Sequence, residues 1–189
     1  MGLFSSSQKT TSERIPDAPD HQLPEAAETS AATRSLQDQF AVRELIGRFA
    51  CCIDFCDWEA FENLFTATVS VKMDPRTAPS PPAPVPSAAW ARVAEASFAP
   101  YDSTHHIVTV DYVTFTDEGA EVVSHFQASH YLTNQDGGPT FVQKGTYLHH
   151  CRRTAEGWRI SGWEQDVRWG TGNRAVMDKA MEEMPKDLF

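Results

Sequence analysis

The sequence predicts an α+β fold, in which helices come first along the chain and a long antiparallel sheet follows. Apolar residues recur at helical spacing between Leu36 and Ile53. After Phe98 the spacing changes to alternation over long segments, which are joined by short turn sequences that contain glycine. Short joins between long strands favour an antiparallel meander. When such a sheet curves over helices, it leaves a pocket at its concave face.

The first half of the chain is predicted to be mainly helical. Ser35 and Asp57 are expected to cap the first two helices, because each precedes a segment with helical spacing. Residues 74–87 include six prolines, so this segment is expected to be a semi-rigid loop. The predicted elements of this half are a helix over residues 35–55, a helix over 58–65, a strand over 69–73 and a helix over 88–98.

The second half of the chain is predicted to form the sheet. Its alternating segments are separated by turn sequences, each of which contains glycine. Asn173 is expected to cap a closing helix whose apolar residues form one stripe before Pro185. The predicted strands cover residues 105–115, 120–132, 141–153 and 158–167.

A single domain over residues 35–189 accounts for the periodic part of the chain, which is long enough to bury a substantial core. Residues 1–34 are expected to be a disordered tail, because Ser, Thr, Pro, Ala and charged residues dominate them. The first six residues match the pattern for N-myristoylation at Gly2. One acyl chain without a basic segment anchors a protein only weakly, and the alternative is an unmodified flexible arm.

The composition argues against several classes of function. The 189 residues carry a formal net charge of -10 without a run of Lys or Arg, which argues against nucleic-acid binding and against electrostatic attachment to a membrane. No apolar run approaches the roughly 20 residues of a membrane span, and the N-terminus lacks the apolar core of a secretory signal. We therefore expect no stable membrane insertion and a cytoplasmic location.

The sequence carries no motif for a metal or a cofactor. Cys51, Cys52 and Cys56 cluster on one helix, and no second cysteine pair completes a zinc site. With Cys151 they are interpreted as small core residues of a reduced intracellular protein. The nucleotide motifs GxGxxG and GxxxxGK[ST], the zinc-protease motif HExxH and the hydrolase motif GxSxG do not occur. We expect neither a metal nor a cofactor.

Asp54 is the first candidate for a catalytic group. It falls in the last turn of the first helix, where the negative helix terminus disfavours an acid by up to about 1 kcal/mol. Its neighbours Ile53 and Phe55 are apolar, which adds a cost of desolvation. Asp57 has an ordinary explanation as a cap, whereas Asp54 has none. The alternative is a half-exposed acid at a frayed helix end.

Strand parity offers this acid two histidine partners, because residues two apart on a strand share a face. If His106 points inward, so do Val108, Val110 and Tyr112. If His130 points inward, so do Val122, Ser124, Phe126 and Ala128. The residues that share one face of the next strand are Phe141, Gln143, Gly145, Tyr147 and His149. The first two sets are mainly apolar with one histidine each, as expected of an apolar pocket with one or two working groups.

A carboxylate beside an imidazole forms a general acid–base unit. The acid holds the ring in one tautomer, while the other ring nitrogen exchanges a proton with the substrate. In one alternative, each histidine only donates a hydrogen bond to a backbone carbonyl and has no catalytic role. In another, Asp54, His106 and His130 form a two-His-one-carboxylate metal site. The metal alternative lacks supporting ligand spacing such as HxxxH or HxD.

Four short motifs occur in an order shared with a known family. They are Ile53-Asp54-Phe55-Cys56-Asp57-Trp58, Ser103-Thr104-His105-His106, Gly157-Trp158-Arg159-Ile160 and Asp166-Val167-Arg168-Trp169-Gly170. Over about residues 40–173 the chain resembles the SnoaL-like and scytalone dehydratase-like members of the nuclear transport factor two-like superfamily. The resemblance implies a cone of curved antiparallel sheet, closed by the N-terminal helices, with the active site inside.

The resemblance also implies which groups react. In scytalone dehydratase an acid and two histidines eliminate water from a β-hydroxy ketone. The resemblance places the acid on Asp54 and the histidines on His106 and His130. His106 is expected to transfer the proton, and His130 to hold the leaving hydroxyl or the carbonyl, with Tyr147 as a second donor.

The groups that recognise the substrate differ from those of scytalone dehydratase. Two tyrosines that orient the substrate carbonyl align with Ile53 and Met73, and a serine and an asparagine align with Gly145 and Tyr147. Scytalone itself is therefore not the expected substrate. The residues expected to contact the substrate are Ile53, Met73, Val108, Phe126, Tyr147 and Trp169.

The sequence thus predicts a cofactor-independent dehydratase or cyclase that acts on a polyketide-like or terpenoid-like secondary metabolite by Asp–His acid–base catalysis. An isomerisation would use the same groups. The alternative is a non-catalytic small-molecule-binding or oligomerisation module of the same fold. A third interpretation, a structural subunit of an oxygenase, requires a cavity filled by side chains. The resemblance implies a homo-oligomer, either a dimer or a trimer.

Overall fold

Helices precede the long strands, and a further helix follows them, in the computed structural model of the chain, which describes residues 26–78, 80–81, 84–133 and 136–183. The helices are α1 (Ala26–Asp54), α2 (Trp58–Glu62), α3 (Ser87–Phe98) and α4 (Ala175–Glu183). The strands are β1 (Phe65–Lys72), β2 (Val85–Pro86), β3 (Ser103–Thr116), β4 (Gly119–Tyr131), β5 (Thr140–Thr154) and β6 (Gly157–Gly172). The predicted α+β class is confirmed.

The described strands form a sheet in the order β2-β1-β6-β5-β4-β3. Strands β3 to β6 follow one another with short turns and pair antiparallel, which confirms the predicted meander. Strand β1 pairs parallel with β6, a pairing that periodicity does not reveal because the two segments lie far apart along the chain. The sheet does not close into a barrel, since β2 and β3 lie at its opposite edges.

The core lies between the helices and one face of the sheet. The apolar stripe of α1 buries Ile46, Phe49 and Ile53 as its helical spacing predicts, whereas Leu36 and Phe40 at the start of the stripe are exposed. From the sheet, Val122 and Ile160 are completely buried on the facing side. The residues of β4 that were predicted to point inward with His130 are all buried, namely Val122, Ser124, Phe126 and Ala128.

A β-bulge in β3 changes the face on which one predicted residue lies. The pairing of β3 with β4 shifts between Val110 and Tyr112. One extra residue reverses the alternation, so Val113 packs on the core and Tyr112 is exposed, which corrects its predicted inward position. His106 and Val108 precede the bulge and keep the predicted inward face.

Helix α1 begins at Ala26, well before the predicted cap at Ser35. The intervening segment is rich in alanine, which has the highest helix propensity. The predicted cap is therefore wrong, and part of the predicted tail is helical. Residues 1–25, including the myristoylation pattern at Gly2, lie outside the described residues, and the division into tail and domain stays a prediction.

The proline-rich loop is tied to β6 by Asp74. The carboxylate of Asp74 accepts hydrogen bonds from the side chain and the backbone N–H of Arg76, and from the backbone N–H of Val167. The bonds from Arg76 and Val167 hold the pKa of Asp74 well below its usual range, although burial opposes them. This attachment sets the loop beside the same part of the sheet as the candidate site.

The cysteines divide into two buried and two exposed side chains. Cys52 and Cys151 are buried as predicted, whereas Cys51 and Cys56 are exposed. The prediction of four core cysteines is wrong for the exposed pair, because Cys51 lies on the outer face of α1 and Cys56 lies beyond its end. Among the described residues, no helix combines the length and the apolar composition that a membrane crossing requires.

Candidate active site

Asp54, at the end of α1, reaches the start of β3 and accepts three hydrogen bonds there. Its Oδ1 accepts from the hydroxyl of Thr104 at 2.8 Å and from Nδ1 of His106 at 2.7 Å. Its Oδ2 accepts from the backbone N–H of His106 at 2.6 Å. Because an ionised carboxylate only accepts, Nδ1 carries the proton and Nε2 is left for a ligand. Asp57 instead caps α2 through the N–H of Ala60, as predicted.

The Asp54–His106 pair is shielded from solvent. The exposed fraction of the side chain is 3% for His106 and 15% for Asp54. Burial alone raises the pKa of Asp54, but the hydrogen bonds from His106 and Thr104 outweigh it, so this pKa lies below its ordinary value. Asp54 is therefore ionised at neutral pH and holds the imidazole in one orientation.

His130 lies next to His106 rather than next to Asp54. The two imidazole ring centres are 6.1 Å apart, and the rings meet edge to face. His130 also stacks on Phe98 and contacts Tyr101, with ring centres 6.3 and 4.8 Å away. Burial, together with the neighbouring His106, lowers the pKa of His130 to about 4, so His130 is neutral at pH 7. Its Nδ1 has no hydrogen-bond partner within the described part of the chain.

A cavity of about 90 Å³ opens beside the two histidines. Its walls come from α1, α2, α3, α4, the sheet and the proline-rich loop, and most of the lining side chains are apolar or aromatic. Asp, Glu, Lys and Arg are absent from the described lining residues. The open space disagrees with the interpretation as a structural subunit with a filled cavity, and the uncharged walls favour a neutral organic ligand.

The chain matches a known family over most of its length. The model of the SnoaL-like domain matches residues 34–164, which is more than half of the chain. The chain belongs to the SnoaL-like domain family. No curated protein sequence matches this SnoaL-like chain significantly.

Solved structures share the fold of the SnoaL-like chain. The Kfla4162 protein from Kribbella flavida is 26% identical, with a TM-score of 0.70 over 76% of this chain and 99% of that protein. A scytalone dehydratase candidate from Novosphingobium aromaticivorans is 17% identical, with a TM-score of 0.64 over 75% and 91% of the two chains. A type 2 hexachlorocyclohexane dehydrochlorinase, LinA, is 13% identical, with a TM-score of 0.60 over 78% and 93%. The predicted nuclear transport factor two-like architecture is confirmed, and one of the solved structures that share it is described as having a cystatin-like fold.

Most of the predicted substrate contacts lie at or just behind the cavity wall of the SnoaL-like domain. Ile53, Met73 and Tyr147 line the cavity. Phe126 stands one layer behind, stacked on Tyr147 with ring centres 4.1 Å apart. Val108 is half-buried and packs on the core without lining the cavity.

Trp169 lies outside the cavity, which corrects its predicted role as a substrate contact. It is 52% exposed, and Nζ of Lys144 lies 4.7 Å from its ring centre. The pairing of β5 with β6 shifts here, since Gly145 pairs with Val167 and Lys144 with Trp169. The extra residue, Arg168, reverses the alternation along β6 and turns Trp169 to the outer face.

The cavity of the SnoaL-like domain has further lining residues that were not predicted as site residues. They include Trp90, Tyr101, Trp163, Gln165 and Met177. The sequence places Trp90 and Met177 on apolar helix faces, but a face that packs on the core and a face that lines a void have the same periodicity. The signal available in the sequence was a tryptophan on such an apolar face, because a buried indole N–H needs a hydrogen-bond partner.

The metal alternative finds no support in the arrangement of side chains. Within the described residues, no group of three His, Cys, Asp or Glu side chains is placed to hold a metal ion. Asp54, His106 and His130 therefore do not form the two-His-one-carboxylate site that was considered.

Proposed function

We propose that the cavity catalyses the cofactor-free loss of water from a β-hydroxy carbonyl compound, a polyketide-like or terpenoid-like metabolite. Nε2 of His106 takes a proton from the carbon next to the carbonyl, while Asp54 holds the ring in the required tautomer. The C–H electron pair forms the double bond, the C–O bond breaks, and the leaving hydroxyl receives the proton back from His106. Water leaves, and His106 returns to its starting form.

Two further groups complete the proposed reaction. The neutral His130, with its unpaired Nδ1, hydrogen-bonds to the leaving hydroxyl or to the carbonyl. The hydroxyl of Tyr147, at the cavity wall, is the second donor. When a substrate has no leaving group, the same proton transfer produces an isomerisation or a cyclisation.

The observation that carries the proposal is the 2.7 Å contact between Oδ1 of Asp54 and Nδ1 of His106 at the wall of an apolar cavity. It leaves one imidazole nitrogen for a ligand, in surroundings where water competes little for the proton. A pure binding cavity has no need of a buried ionised carboxylate, which is costly to desolvate.

The structural neighbours support the choice of an elimination. A dehydratase removes water, and a dehydrochlorinase removes hydrogen chloride, from adjacent carbon atoms. Both reactions start from a C–H bond and end in a double bond, so one fold with a positioned base serves either leaving group. At identities of 17% and 13% the likeness itself shows the fold, and the reaction is our proposal.

The test uses two assays on the purified full chain. Dehydration of a panel of cyclic and open-chain β-hydroxy ketones is followed by enone absorbance, and exchange of the methyl protons of acetophenone in D₂O is followed by NMR. We expect His106→Ala and Asp54→Asn to lower both rates by about 100- to 10,000-fold. His125→Ala is the matched control, because His125 contacts Asp111 at the same 2.7 Å but is 69% exposed.

The results separate the proposal from its rival. Wild-type rates in both His106→Ala and Asp54→Asn would rule out the acid–base pair. If the wild-type chain binds ketones but neither dehydrates nor exchanges any of them, the non-catalytic binding module is the correct interpretation.

A further inference from the structure

Two buried tryptophans, Trp90 of α3 and Trp163 of β6, meet at the cavity wall. They are 4% and 5% exposed, and their ring centres lie 5.7 Å apart. Neither indole N–H has a hydrogen-bond partner within the described residues. Buried polar groups in proteins are nearly always paired, and an indole N–H can only donate. Two unpaired donors at the wall of one cavity therefore indicate that the cavity takes a ligand with an acceptor atom.

Two further polar groups stand beside the tryptophans. Gln165, two residues after Trp163 on β6, lines the cavity, and its Oε1 is buried without a partner in the described part of the chain. Burial raises the pKa of Tyr147, so its hydroxyl keeps its proton, and the hydroxyl oxygen accepts a hydrogen bond from the side-chain N–H of Gln165. Trp90, Trp163, Tyr147 and Gln165 together are called the tryptophan end of the cavity.

The two indoles of the tryptophan end lie apart from the acid–base histidines, His106 and His130. Phe98, Tyr101, His106 and His130 form one set of contacting rings, and Trp90, Trp163 and Tyr147 lie in another. Among the described residues, no ring of the first set contacts a ring of the second. A ligand that fills the cavity therefore presents one part to His106 and another part to the indoles.

The uncharged lining of the cavity limits the chemical class of ligand that it can bind. Because the described lining residues include no Lys or Arg, a carboxylate or phosphate at the tryptophan end would be buried without a countercharge. A hydrocarbon would leave both indole N–H groups unpaired. A neutral carbonyl oxygen, which accepts two hydrogen bonds, satisfies both donors without a buried charge.

We propose that the tryptophan end binds an uncharged acceptor oxygen, such as a ketone carbonyl, of an aromatic or polyketide-type ligand. It thereby selects neutral oxygenated compounds over hydrocarbons of the same shape and over carboxylates. The assignment of this ligand class to a substrate rests on the proposed function, whereas the binding preference does not. The indoles supply the hydrogen-bond donors that Ile53 and Met73 lack.

The test compares three one-ring probes of similar size by isothermal titration with the full chain. They are acetophenone, which has a ketone oxygen, ethylbenzene, which lacks the oxygen, and benzoate, which is charged. An apolar cavity prefers ethylbenzene, because a ketone loses more hydration on entry. We expect wild-type protein to prefer acetophenone, and Trp90→Phe and Trp163→Phe each to weaken acetophenone binding about 2- to 10-fold while ethylbenzene binding stays unchanged.

Two controls make the outcome decisive. Trp169→Phe, which removes an exposed indole outside the cavity, keeps the wild-type preference. His106→Ala is also expected to keep the preference for acetophenone, although this variant loses proton exchange. The result of the binding test therefore does not depend on whether the proposed catalysis is correct. Ethylbenzene or benzoate binding more tightly than acetophenone to the wild-type chain would overturn the proposal.

A second measurement needs no substitution in the cavity. In ¹⁵N-labelled wild-type protein, acetophenone is expected to move the indole N–H resonances of Trp90 and Trp163 downfield, because both protons gain an acceptor. The resonance of Trp169 stays in place. Unmoved resonances of Trp90 and Trp163 at saturating acetophenone would contradict the inference, even if the two phenylalanine variants fail to fold.

Discussion

At the scale of single residues, burial distinguishes two histidine–aspartate pairs that have the same contact distance. The nitrogen–oxygen distance is 2.7 Å both for Asp54–His106 and for Asp111–His125. Water and salt weaken the exposed pair, so its contribution is small. The buried pair is held by two more hydrogen bonds, from Thr104 and from the backbone of His106. These bonds order the carboxylate before a ligand arrives.

Thr104→Val is expected to raise the pKa of Asp54 towards its ordinary value. The substitution removes one of the hydrogen bonds that lower this pKa, so Asp54 takes up its proton at a higher pH as the solution is acidified. A ¹³C NMR titration of the Asp54 carboxyl carbon measures the change. Thr109→Val, on the exposed face of the same strand, is the matched control. Identical titrations of Asp54 in the two variants would show that the Thr104 hydroxyl has no such role.

At the scale of elements, shifts in strand pairing decide which side chains of the long strands face the cavity. The shift in β3 turns Tyr112 outward, and the shift between β5 and β6 turns Trp169 outward. At the second shift, a Cβ on Gly145 would overlap the carbonyl oxygen of Asp166 and lie 2.8 Å from Cε1 of Phe126. Only glycine at position 145 lets β6 approach β5 this closely while Phe126 stays stacked behind the cavity wall.

Gly145→Ala is expected to lower the free energy of unfolding by about 1–3 kcal/mol, because the strands must separate to admit the methyl group. Gly47→Ala is the matched control in the interior of α1, where a Cβ meets no atom within 4 Å. It is expected to raise the free energy of unfolding by about 1 kcal/mol, since alanine favours a helix over glycine. Urea unfolding followed by circular dichroism measures both changes. A Gly145→Ala chain as stable as wild type would disprove the steric argument.

At the scale of the whole molecule, two buried histidines link stability to pH. His149 is fully buried against Phe49 and Tyr147, and neither of its ring nitrogens has a partner within the described residues. Burial lowers the pKa of His149 to about 3 and that of His130 to about 4. Because the pKa of an unfolded histidine is about 6.5, the unfolded chain binds more protons than the folded chain below that pH. Stability is therefore lost as the pH falls from about 6.5 towards 4.

His149→Leu is expected to reduce this loss of stability. Each histidine that is buried in its neutral form contributes a slope of up to about 1.4 kcal/mol per pH unit in this window, and the substitution removes one of them. Urea unfolding at a series of pH values between 6.5 and 4.5 measures the slope. His125→Ala, which removes an exposed histidine, is expected to keep the wild-type slope. Equal slopes for wild type and His149→Leu would contradict the argument.

Much of the fold and part of the site were predictable because local patterns encode them. Helical spacing and strict alternation gave the element types, and glycine-containing turns gave the antiparallel meander. The unexplained acid at the end of α1 pointed to Asp54, strand parity made His106 and His130 its candidate partners, and the family resemblance implied the same three residues. The predicted dimer or trimer and the cytoplasmic location stay predictions.

Contacts between distant segments determine the other features of the fold and of the site. Periodicity does not reveal the parallel pairing of β1 with β6, because the two strands lie far apart along the chain. It also does not locate the single-residue shifts at Tyr112 and Trp169, where one extra residue turns the following side chains to the opposite face. The local sequence thus specifies the helices and the meander, and the family motifs identify Asp54 and His106 as site residues. The tertiary packing alone specifies which apolar faces line a void instead of the core, and so creates the tryptophan end of the cavity.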